Sequence, residues 1–296
     1  DGVRFNSIIF TNLSAEHLDY HENITNYRAE KTKLVNKLGQ NAFTILNADH
    51  NASKHFAECT KSKVIWYGIK RKKADVTAEI LNVSACATKF LLNSPWGKEI
   101  FDLKLVGKHN TYNALAAAAN GLSLGFKIED VKKGIESLSA VPGRLEKINY
   151  GQNFDIYIDF AHTHQALQVI LSTLREITSG RIILVFGCGG DRDRKKRPKM
   201  GHIAEKYSDL FWITNDNPRS EDPFGIIHEI QKGIRKDASF RVQSDRKVAI
   251  EEAIAEAKKG DTLIIAGKGH EQYQIIKNKR YPFDDREVVK QFLGNA

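Results

Sequence analysis

The second half of the chain alternates between short apolar runs and longer segments with helical periodicity. The clearest short run is 182–186, which has the length and the β-branched content expected of a buried strand. Such alternation predicts parallel strand–helix–strand units. We predict strands at 154–158, 182–186, 210–214 and 262–266, and helices at 166–177, 200–207, 226–232 and 248–257.

The first half of the chain has a mixed pattern. Strands are predicted at 7–11, 41–47 and 63–67, strands of a more antiparallel kind at 76–83, 87–92 and 100–105, and helices at 24–38, 107–119 and 128–138. A turn-rich segment, 140–146, separates the two patterns, and we place a domain boundary there. The predicted fold class is therefore α/β, with domains at 1–143 and 144–296.

Four predicted strands in the second half each end in a polar turn, at 159–162, 187–194, 215–219 and 267–271. Each turn contains an acid together with Arg, Lys or His. Ligands of open α/β sheets bind beyond the carboxyl ends of the strands. The alternative is a set of solvated loops, but glycines placed next to the charges favour close contact with a ligand. The combination suits a ligand that bears both carboxylates and amines, with phosphates nearby.

Two pairs of residues in the first half are candidate sites, and each pair also has a structural interpretation. His17 and His21 lie beside two acids just after the first strand, which fits a metal or phosphate site or a capped helix start. Asn110 and Asn113 share one face at a helix N-terminus. Their amides fit either a helix cap or contacts to a flat heterocycle.

Composition narrows the classes of partner. The 296 residues carry 45 Lys and Arg against 36 Asp and Glu, a formal net charge of +9, which permits anionic partners. The dense basic cluster from Arg192 to Lys199 lacks the interleaved aromatic residues of a single-strand-binding surface, so we expect no nucleic acid. No apolar run approaches the ~18 residues that a membrane span needs.

The cysteine pattern and the chain start point to a reducing compartment. The three cysteines are isolated, with neither zinc spacing nor a disulfide framework, and no signal-peptide pattern is present. We therefore expect a cytoplasmic protein. The chain begins abruptly just before a strand, and we interpret this as the middle of a longer protein.

The motifs, taken in order, resemble those of the Mur ligase family. The residues that carry this resemblance are 11–14, 17–21, Lys31, 107–113, 142–144, 159–162, 187–198, 216–219 and 267–271. The resemblance implies the rear part of a central ATPase domain at 1–143, followed by a Rossmann-like C-terminal domain at 144–296. It also implies that an N-terminal domain and the phosphate-loop part of the ATPase domain are absent, because no G-x-x-x-x-G-K-[ST] run occurs. We therefore expect the isolated chain to be inactive.

The resemblance implies an ATP-dependent ligase that acts in peptidoglycan biosynthesis. ATP would phosphorylate a carboxylate of UDP-N-acetylmuramoyl-L-alanyl-D-glutamate, and the amine of meso-2,6-diaminopimelate would then attack the acyl phosphate. Mg²⁺ would neutralise charge on the transferred phosphoryl group. A monomer without a membrane span is expected.

The family pattern also implies roles for individual residues. It implies that His17 binds Mg²⁺ and that Lys31, as a carbamate, helps to position the metal. It implies nucleotide contacts from Asn110, Asn113, Arg144, Asp159 and His162, and an amino-acid pocket formed by Arg192, Asp216, Asn217, Arg219, Gly267 and Glu271. We expect most of the remaining positive charge, from Arg194 to Lys199, to contribute only loop electrostatics near phosphate.

Arg219 decides the expected amino acid. Its guanidinium is suited to clasp the second carboxylate of diaminopimelate, which lysine lacks. Two alternatives remain open: a ligase similar to folylpolyglutamate synthetase, and a non-catalytic amino-acid-binding or regulatory protein.

Overall fold

The computed structural model describes residues 2–14, 18–71, 73–277 and 279–294. The chain separates into two compact units, unit 1 at 1–139 and unit 2 at 140–296. No helix in the described ranges is long and apolar enough to cross a membrane.

Unit 1 is built on a mixed sheet with strand order β1-β2-β3-β4-β5-β6. Its elements are β1 (Ser7–Phe10), α1 (Leu18–His21), α2 (Ile24–Val35), β2 (Phe43–Asn47), α3 (Ser53–Cys59), β3 (Lys63–Gly68), β4 (Val76–Val83), β5 (Thr88–Ser94), β6 (Gly97–Leu103), α4 (Lys108–Ser123) and α5 (Ile128–Ser137). Strands β1 to β4 pair in parallel. Strands β4, β5 and β6 pair antiparallel, which confirms the predicted antiparallel character of these three strands.

Alternating side chains of the parallel strands feed two separate cores in unit 1. Ile45 and Tyr67 lie in the core beneath the alanine-rich helix α4. Leu46 packs on the other face with Phe10 and Phe56, close to α2 and α3. This two-faced burial explains why β2 is apolar throughout its middle, as parallel strands covered on both faces usually are.

Unit 2 contains a second sheet with strand order β11-β10-β9-β12-β8-β7. Its elements are β7 (Glu146–Ile148), β8 (Asp155–Asp159), α6 (His164–Arg175), β9 (Ile182–Phe186), α7 (Lys196–Tyr207), β10 (Leu210–Ile213), α8 (Pro223–Gln231), β11 (Phe240–Val242), α9 (Arg246–Glu256), β12 (Thr262–Ala266), β13 (Tyr273–Ile276), β14 (Lys279–Pro282) and α10 (Asp285–Gly294). Strands β8 to β12 are parallel, while β7 pairs antiparallel at the edge.

Helices cover both faces of the unit 2 sheet. In β9, Leu184 and Phe186 contribute to the core that includes residues of α6, α7 and α8. Ile183 and Val185 face the opposite core, which includes residues of α9 and α10. The strand is therefore buried on both sides, which confirms the prediction drawn from its continuous apolar run.

The structure corrects several predicted boundaries. Helix α7 begins at Lys196 rather than at residue 200. Pro198 is tolerated because it lies in the first turn, where backbone N–H groups have no partner within the helix. Strand β6 begins at Gly97, since Ser94 pairs with Gly97 across a two-residue turn. The prediction did not include α3, β7, β11, the hairpin β13–β14 or α10.

Candidate functional site

The four polar turns of unit 2 meet at one edge of the sheet. Strands β10, β9, β12 and β8 are consecutive neighbours, and their registers pair Ile213 with Phe186, Ile265 with Val185 and Ala266 with Asp159. The strands thus end at nearly the same level, which brings together the loops that follow them. This confirms the geometric basis of the prediction from the polar strand ends.

Glycines allow three of these loops to come into contact. The Gly190 N–H donates to the Asn217 carbonyl over 2.9 Å. A Cβ on Gly190 would collide with the Pro218 carbonyl oxygen. Gly267 has φ +115°, and a Cβ there would lie 2.7 Å from the Asp216 carboxylate. Glycine is needed at both places because a side chain would push the loops apart.

Arg219 holds its guanidinium among backbone carbonyls. Nη1 donates to the Gly190 carbonyl at 2.7 Å and lies 3.5 Å from the Asn217 carbonyl. Within the described ranges, Arg219 makes no ion pair with a carboxylate. The side chain is half-buried. A half-buried guanidinium without an ion-pair partner is chemically suited to bind a carboxylate.

The backbone of Arg219 is fixed independently of its side chain. Its N–H donates to the Ile275 carbonyl at 3.0 Å, and its carbonyl accepts from the Lys277 N–H at 2.8 Å. Its φ is +53°, a left-handed conformation that non-glycine residues adopt only when neighbours enforce it. The connection to β13 therefore aims the side chain.

Glu271, Asn217 and Asp216 supply the polar and acidic side of the same region. Asn217 is buried, and its Nδ2 donates to Glu271 Oε2 at 2.8 Å. Gln274 Nε2 donates to the Asp216 backbone carbonyl, which leaves the Asp216 carboxylate beside Gly267. Carboxylates of this kind are suited to bind an ammonium group.

Lys268 is a member of this group that the sequence prediction did not include. It is fully buried, and its Nζ lies 3.1 Å from Glu271 Oε2 and 3.3 Å from Asn217 Oδ1. Its position between two glycines, immediately after a buried strand, was a signal that it approaches something closely.

Arg197 departs from the expectation that most charge of this run contributes only loop electrostatics near phosphate. Its side chain is fully buried and makes a bidentate pair with Glu221, with distances of 2.7 and 2.8 Å. It also bonds Glu229 at 2.8 Å, and Arg194 pairs with the same Glu229. The pair with Arg197 lowers the pKa of Glu221 to about 2. The cluster is therefore largely a structural network that holds the loop before α7.

Arg246 and Asp285 form a second buried ion pair that sequence reasoning did not find. Both side chains are fully buried, and two N–H donors of Arg246 reach the two carboxylate oxygens at 2.8 Å. Arg246 also donates to the Ala266 carbonyl at 3.1 Å and to the Asn215 carbonyl at 3.4 Å. These carbonyls directly precede Gly267 and Asp216, so the pair supports both loops from beneath.

Arg144, Asp159 and His162 lie together around Phe160. The Arg144 guanidinium is exposed and stacks 5.1 Å from the Phe160 ring. Asp159 is buried and accepts the N–H groups of Leu145 and Ala161 at 2.7 Å. Burial raises the pKa of Asp159 despite these two donors. In this structure Asp159 organises the loop, while Arg144 is the group available to a ligand.

Arg192 extends outward from the same edge. It is exposed, and its Nη1 donates to the Asp191 carbonyl at 3.0 Å. Asp191 itself bonds the Ser220 hydroxyl at 2.6 Å and thereby ties this loop to the one that follows Arg219. The structure thus places Arg192 next to the other predicted pocket residues, with a guanidinium that faces solvent.

The predicted residues of unit 1 are more dispersed. Asn110 is buried, with its Nδ2 bonded to the Val106 carbonyl and its Oδ1 accepting from Asn113 Nδ2 at 3.2 Å. Lys31 is exposed on α2, 4.8 Å from the Tyr27 ring. His17 lies outside the described residues. No group of three or more His, Cys, Asp or Glu residues that could hold a metal occurs in the ranges that the structure describes.

A separate concavity of about 430 Å³ lies in unit 1, on the Trp66 face of β3. Exposed Lys54, Arg71 and Lys73 surround it, together with His50. Both ring nitrogens of His50 are approached at 3.2 Å by backbone N–H groups, those of Leu13 and Ala52. None of the predicted site residues within the described ranges lines this concavity.

Two family descriptions match the chain. Residues 1–121 match "Mur ligase middle domain", and residues 143–269 match "Mur ligase, glutamate ligase domain". The two matches are in the order that the sequence resemblance implied.

Individual relatives extend this result. The chain is 42% identical over 294 residues to a protein of Bacillus velezensis, with 97% of this chain and 60% of the relative covered. It is 43% identical over 297 residues to a protein of Caldanaerobacter subterraneus, with 100% and 61% covered. Both relatives are named UDP-N-acetylmuramoyl-L-alanyl-D-glutamate–2,6-diaminopimelate ligase.

A solved structure described by the same name superposes with a TM-score of 0.64 at 32% identity, covering 98% of this chain and 60% of that one. The chain therefore spans about three fifths of the length of the relatives it matches.

Proposed function

Because the chain belongs to the Mur ligase family, we propose that it carries the amino-acid-binding part of an ATP-dependent, ADP-forming amide ligase. The amino acid is meso-2,6-diaminopimelate, and the acceptor is UDP-N-acetylmuramoyl-L-alanyl-D-glutamate. We assign 1–143 to the rear part of the central domain and 144–296 to the C-terminal domain. The reaction belongs to peptidoglycan biosynthesis, and we place it in the cytoplasm.

The observation that carries this proposal is the arrangement around Arg219. A guanidinium with carbonyl partners alone lies at the same strand edge as two carboxylates, those of Asp216 and Glu271. A ligand with a side-chain carboxylate and an ammonium group would satisfy both kinds of charge. A diamino acid without the second carboxylate would leave the half-buried guanidinium unpaired, which is costly.

In the proposed reaction, an oxygen of the dipeptide carboxylate attacks the γ-phosphorus of ATP, and ADP leaves. The amine nitrogen of diaminopimelate then attacks the acyl carbon, loses a proton, and expels phosphate. The residues of unit 2 bind and orient the amino acid so that its amine reaches that carbon. Arg144, stacked on Phe160, is proposed to contact the nucleotide.

Mg²⁺ is proposed as the cation that neutralises the transferred phosphoryl group. The described residues do not by themselves provide a complete set of ligands, so we derive no step through the metal. Lys31 is exposed on α2, and its carbamylation stays a proposal.

A competition assay with the complete natural polypeptide that contains this chain tests the proposed function. Equal concentrations of meso-diaminopimelate and L-lysine are supplied with ATP and the UDP-muramoyl dipeptide. The products are identified and quantified by mass spectrometry. We expect the diaminopimelate tripeptide, with one ADP and one phosphate per product. Equal incorporation of lysine would contradict the assignment of the amino acid. Binding of diaminopimelate without ATP consumption would favour a non-catalytic amino-acid-binding protein.

A further inference from the structure

Lys268 is a buried cation whose partners all belong to the candidate amino-acid site. Its side chain is completely buried, and its Nζ contacts Glu271 Oε2 at 3.1 Å and Asn217 Oδ1 at 3.3 Å. The Tyr273 ring lies on another side, with its centroid 5.7 Å from Nζ. Burying a lysine is costly unless its ammonium group is paired. The pair with Glu271 meets this requirement.

The same contacts use one oxygen of the Glu271 carboxylate. Oε2 accepts from Lys268 Nζ and from Asn217 Nδ2, which donates over 2.8 Å. Asn217 Oδ1 also accepts the Ile275 N–H at 2.9 Å, so the amide cannot rotate without losing a bond. All hydrogen bonds from described side chains to the Glu271 carboxylate therefore end on Oε2, and Oε1 is left for a ligand.

Charge distinguishes Glu271 from Arg219. The Glu271 carboxylate already has a cation, Lys268, as a partner, whereas the Arg219 guanidinium has backbone carbonyls alone. On charge alone, the site should therefore favour a ligand carboxylate over a second ligand ammonium. At neutral pH a diamino dicarboxylic acid has no net charge, whereas a diamino monocarboxylic acid has a net charge of about +1.

From this arrangement we propose that Lys268 is a positioning residue that sets amino-acid specificity. It orients Glu271 and Asn217, and its charge disfavours a ligand with a net positive charge. Arg219 selects for the second carboxylate, while Lys268 selects against a diamino acid that lacks it. This inference rests on the proposed function, because it concerns the same amino-acid site.

NMR titrations of the 296-residue chain with meso-diaminopimelate and with L-lysine test the proposal. The spectra report both dissociation constants and the folded state of each variant. In Lys268→Met, which keeps most of the side-chain volume but removes the charge, we expect diaminopimelate to bind more weakly. Lysine should bind as well as before or better, so that the ratio of the two constants falls about tenfold. Lys268→Arg should keep most of the ratio, and the exposed Lys290→Met should change neither constant.

Glu271→Gln provides a second test that does not depend on the folding of the Lys268 variants. This change removes one negative charge, so the ratio should move in the opposite direction, with lysine losing more affinity than diaminopimelate. Equal weakening of both ligands in Lys268→Met would show a merely structural role and would overturn the inference, while the proposed function would stand. If the unmodified chain binds neither amino acid, both proposals fail.

Discussion

Arg246 and Arg219 present the same chemical group at the same edge of the unit 2 sheet, but with opposite partners. Arg246 is completely buried and forms a bidentate pair with Asp285, which is completely buried as well. Arg219 is half-buried and bonds carbonyl oxygens, and it forms no ion pair with a carboxylate in the described ranges. The first guanidinium is satisfied within the chain, whereas the second retains charge and donors for a ligand.

The comparison distinguishes a structural cation, Arg246, from Arg219, the cation that we propose binds the ligand. A buried charge that loses its single partner is strongly destabilising, since the remaining group is left uncompensated. A guanidinium whose bonds are to carbonyls leaves no unpaired charge behind when it is removed, so its loss should cost the fold less. Lys268 lies between these extremes, because it is buried but paired with a site residue.

The largest effect is expected for Arg246→Met. The change leaves the Asp285 carboxylate buried and unpaired, and the free energy of unfolding should fall by about 3–5 kcal/mol. Chemical denaturation followed by circular dichroism measures this. Lys247→Met is the matched control, since Lys247 is the next residue on α9 and its exposed pair with Glu251 spans 3.8 Å. That control should change stability by less than about 0.5 kcal/mol.

A double variant sharpens the same prediction. Replacing both partners, in Arg246→Met with Asp285→Leu, removes the uncompensated charge and should recover most of the lost stability. If the double variant is no more stable than Arg246→Met, the carbonyl contacts of Arg246 to Ala266 and Asn215 carry its role instead of the ion pair.

Arg219→Ala should separate binding from stability. The backbone at this position is held by bonds to Ile275 and Lys277, so the loop should persist and the free energy of unfolding should change by less than about 1 kcal/mol. The affinity for diaminopimelate should fall by about 10- to 150-fold, because hydrogen bonds to charged groups contribute about 1.5–3 kcal/mol. Alanine is preferred to glycine, which would also relieve the positive φ.

Arg175→Ala is the control for this binding experiment. Arg175 pairs with Asp209, just before β10 and therefore at the opposite end of the strands from the site. Its removal should leave diaminopimelate affinity unchanged. A loss of stability in Arg219→Ala as large as that in Arg246→Met would erase the distinction between the two arginines.

The sequence predicts the strands that carry the site better than it predicts which side chains pair with one another. The strands at 76–83, 182–186 and 262–266 are found at the predicted residues. For 182–186 and 262–266 the reason is a run of apolar side chains, which is a local signal. The hairpin β13–β14 was not predicted, since β14 is exposed throughout and has no apolar pattern. Its pairing depends on contacts that the local sequence does not contain.

Ion pairs are harder still to predict. Arg246 and Asp285 are 39 residues apart, and each lies in a segment with charged neighbours typical of an exposed helix. Arg194 and Arg197 belong to one basic run, yet Arg194 is exposed and Arg197 is buried. Burial and partner choice depend on how the sheet brings α7, α8, α9 and α10 together, and a single sequence carries no local record of this.

Asp49 in unit 1 extends the comparison to an anion that is satisfied within the chain. Its Oδ2 accepts the Ile69 and Lys70 N–H groups at 2.8 and 2.9 Å and the Tyr112 hydroxyl at 2.8 Å, and its Oδ1 accepts the Arg71 N–H at 2.9 Å. Burial raises the pKa of Asp49, but these donors lower it more, so the pKa lies below its usual value.

The smallest effect follows from Asp49→Asn. The amide nitrogen would face at least one N–H donor, so the loss of stability at neutral pH should be about 1–3 kcal/mol. Because the folded-state pKa is lowered, the stabilisation by the wild-type carboxylate is complete above the unfolded value, near 3.9, and is lost as pH falls through the folded pKa. The difference in the free energy of unfolding between wild type and variant should therefore shrink as the pH falls. Amide hydrogen exchange at residues 69–71, measured by mass spectrometry, follows this locally.

Asp75→Asn is the control, since the exposed Asp75 accepts one backbone N–H, that of Trp66 at 2.8 Å. Its effect on exchange should be clearly smaller than that of Asp49→Asn. A gap between wild type and Asp49→Asn that stays constant down to pH 2 would show that the shape of the side chain matters here rather than its charge. Asp49 would then no longer serve as the anionic counterpart of Arg246, because its contribution would not come from a charge satisfied by surrounding donors.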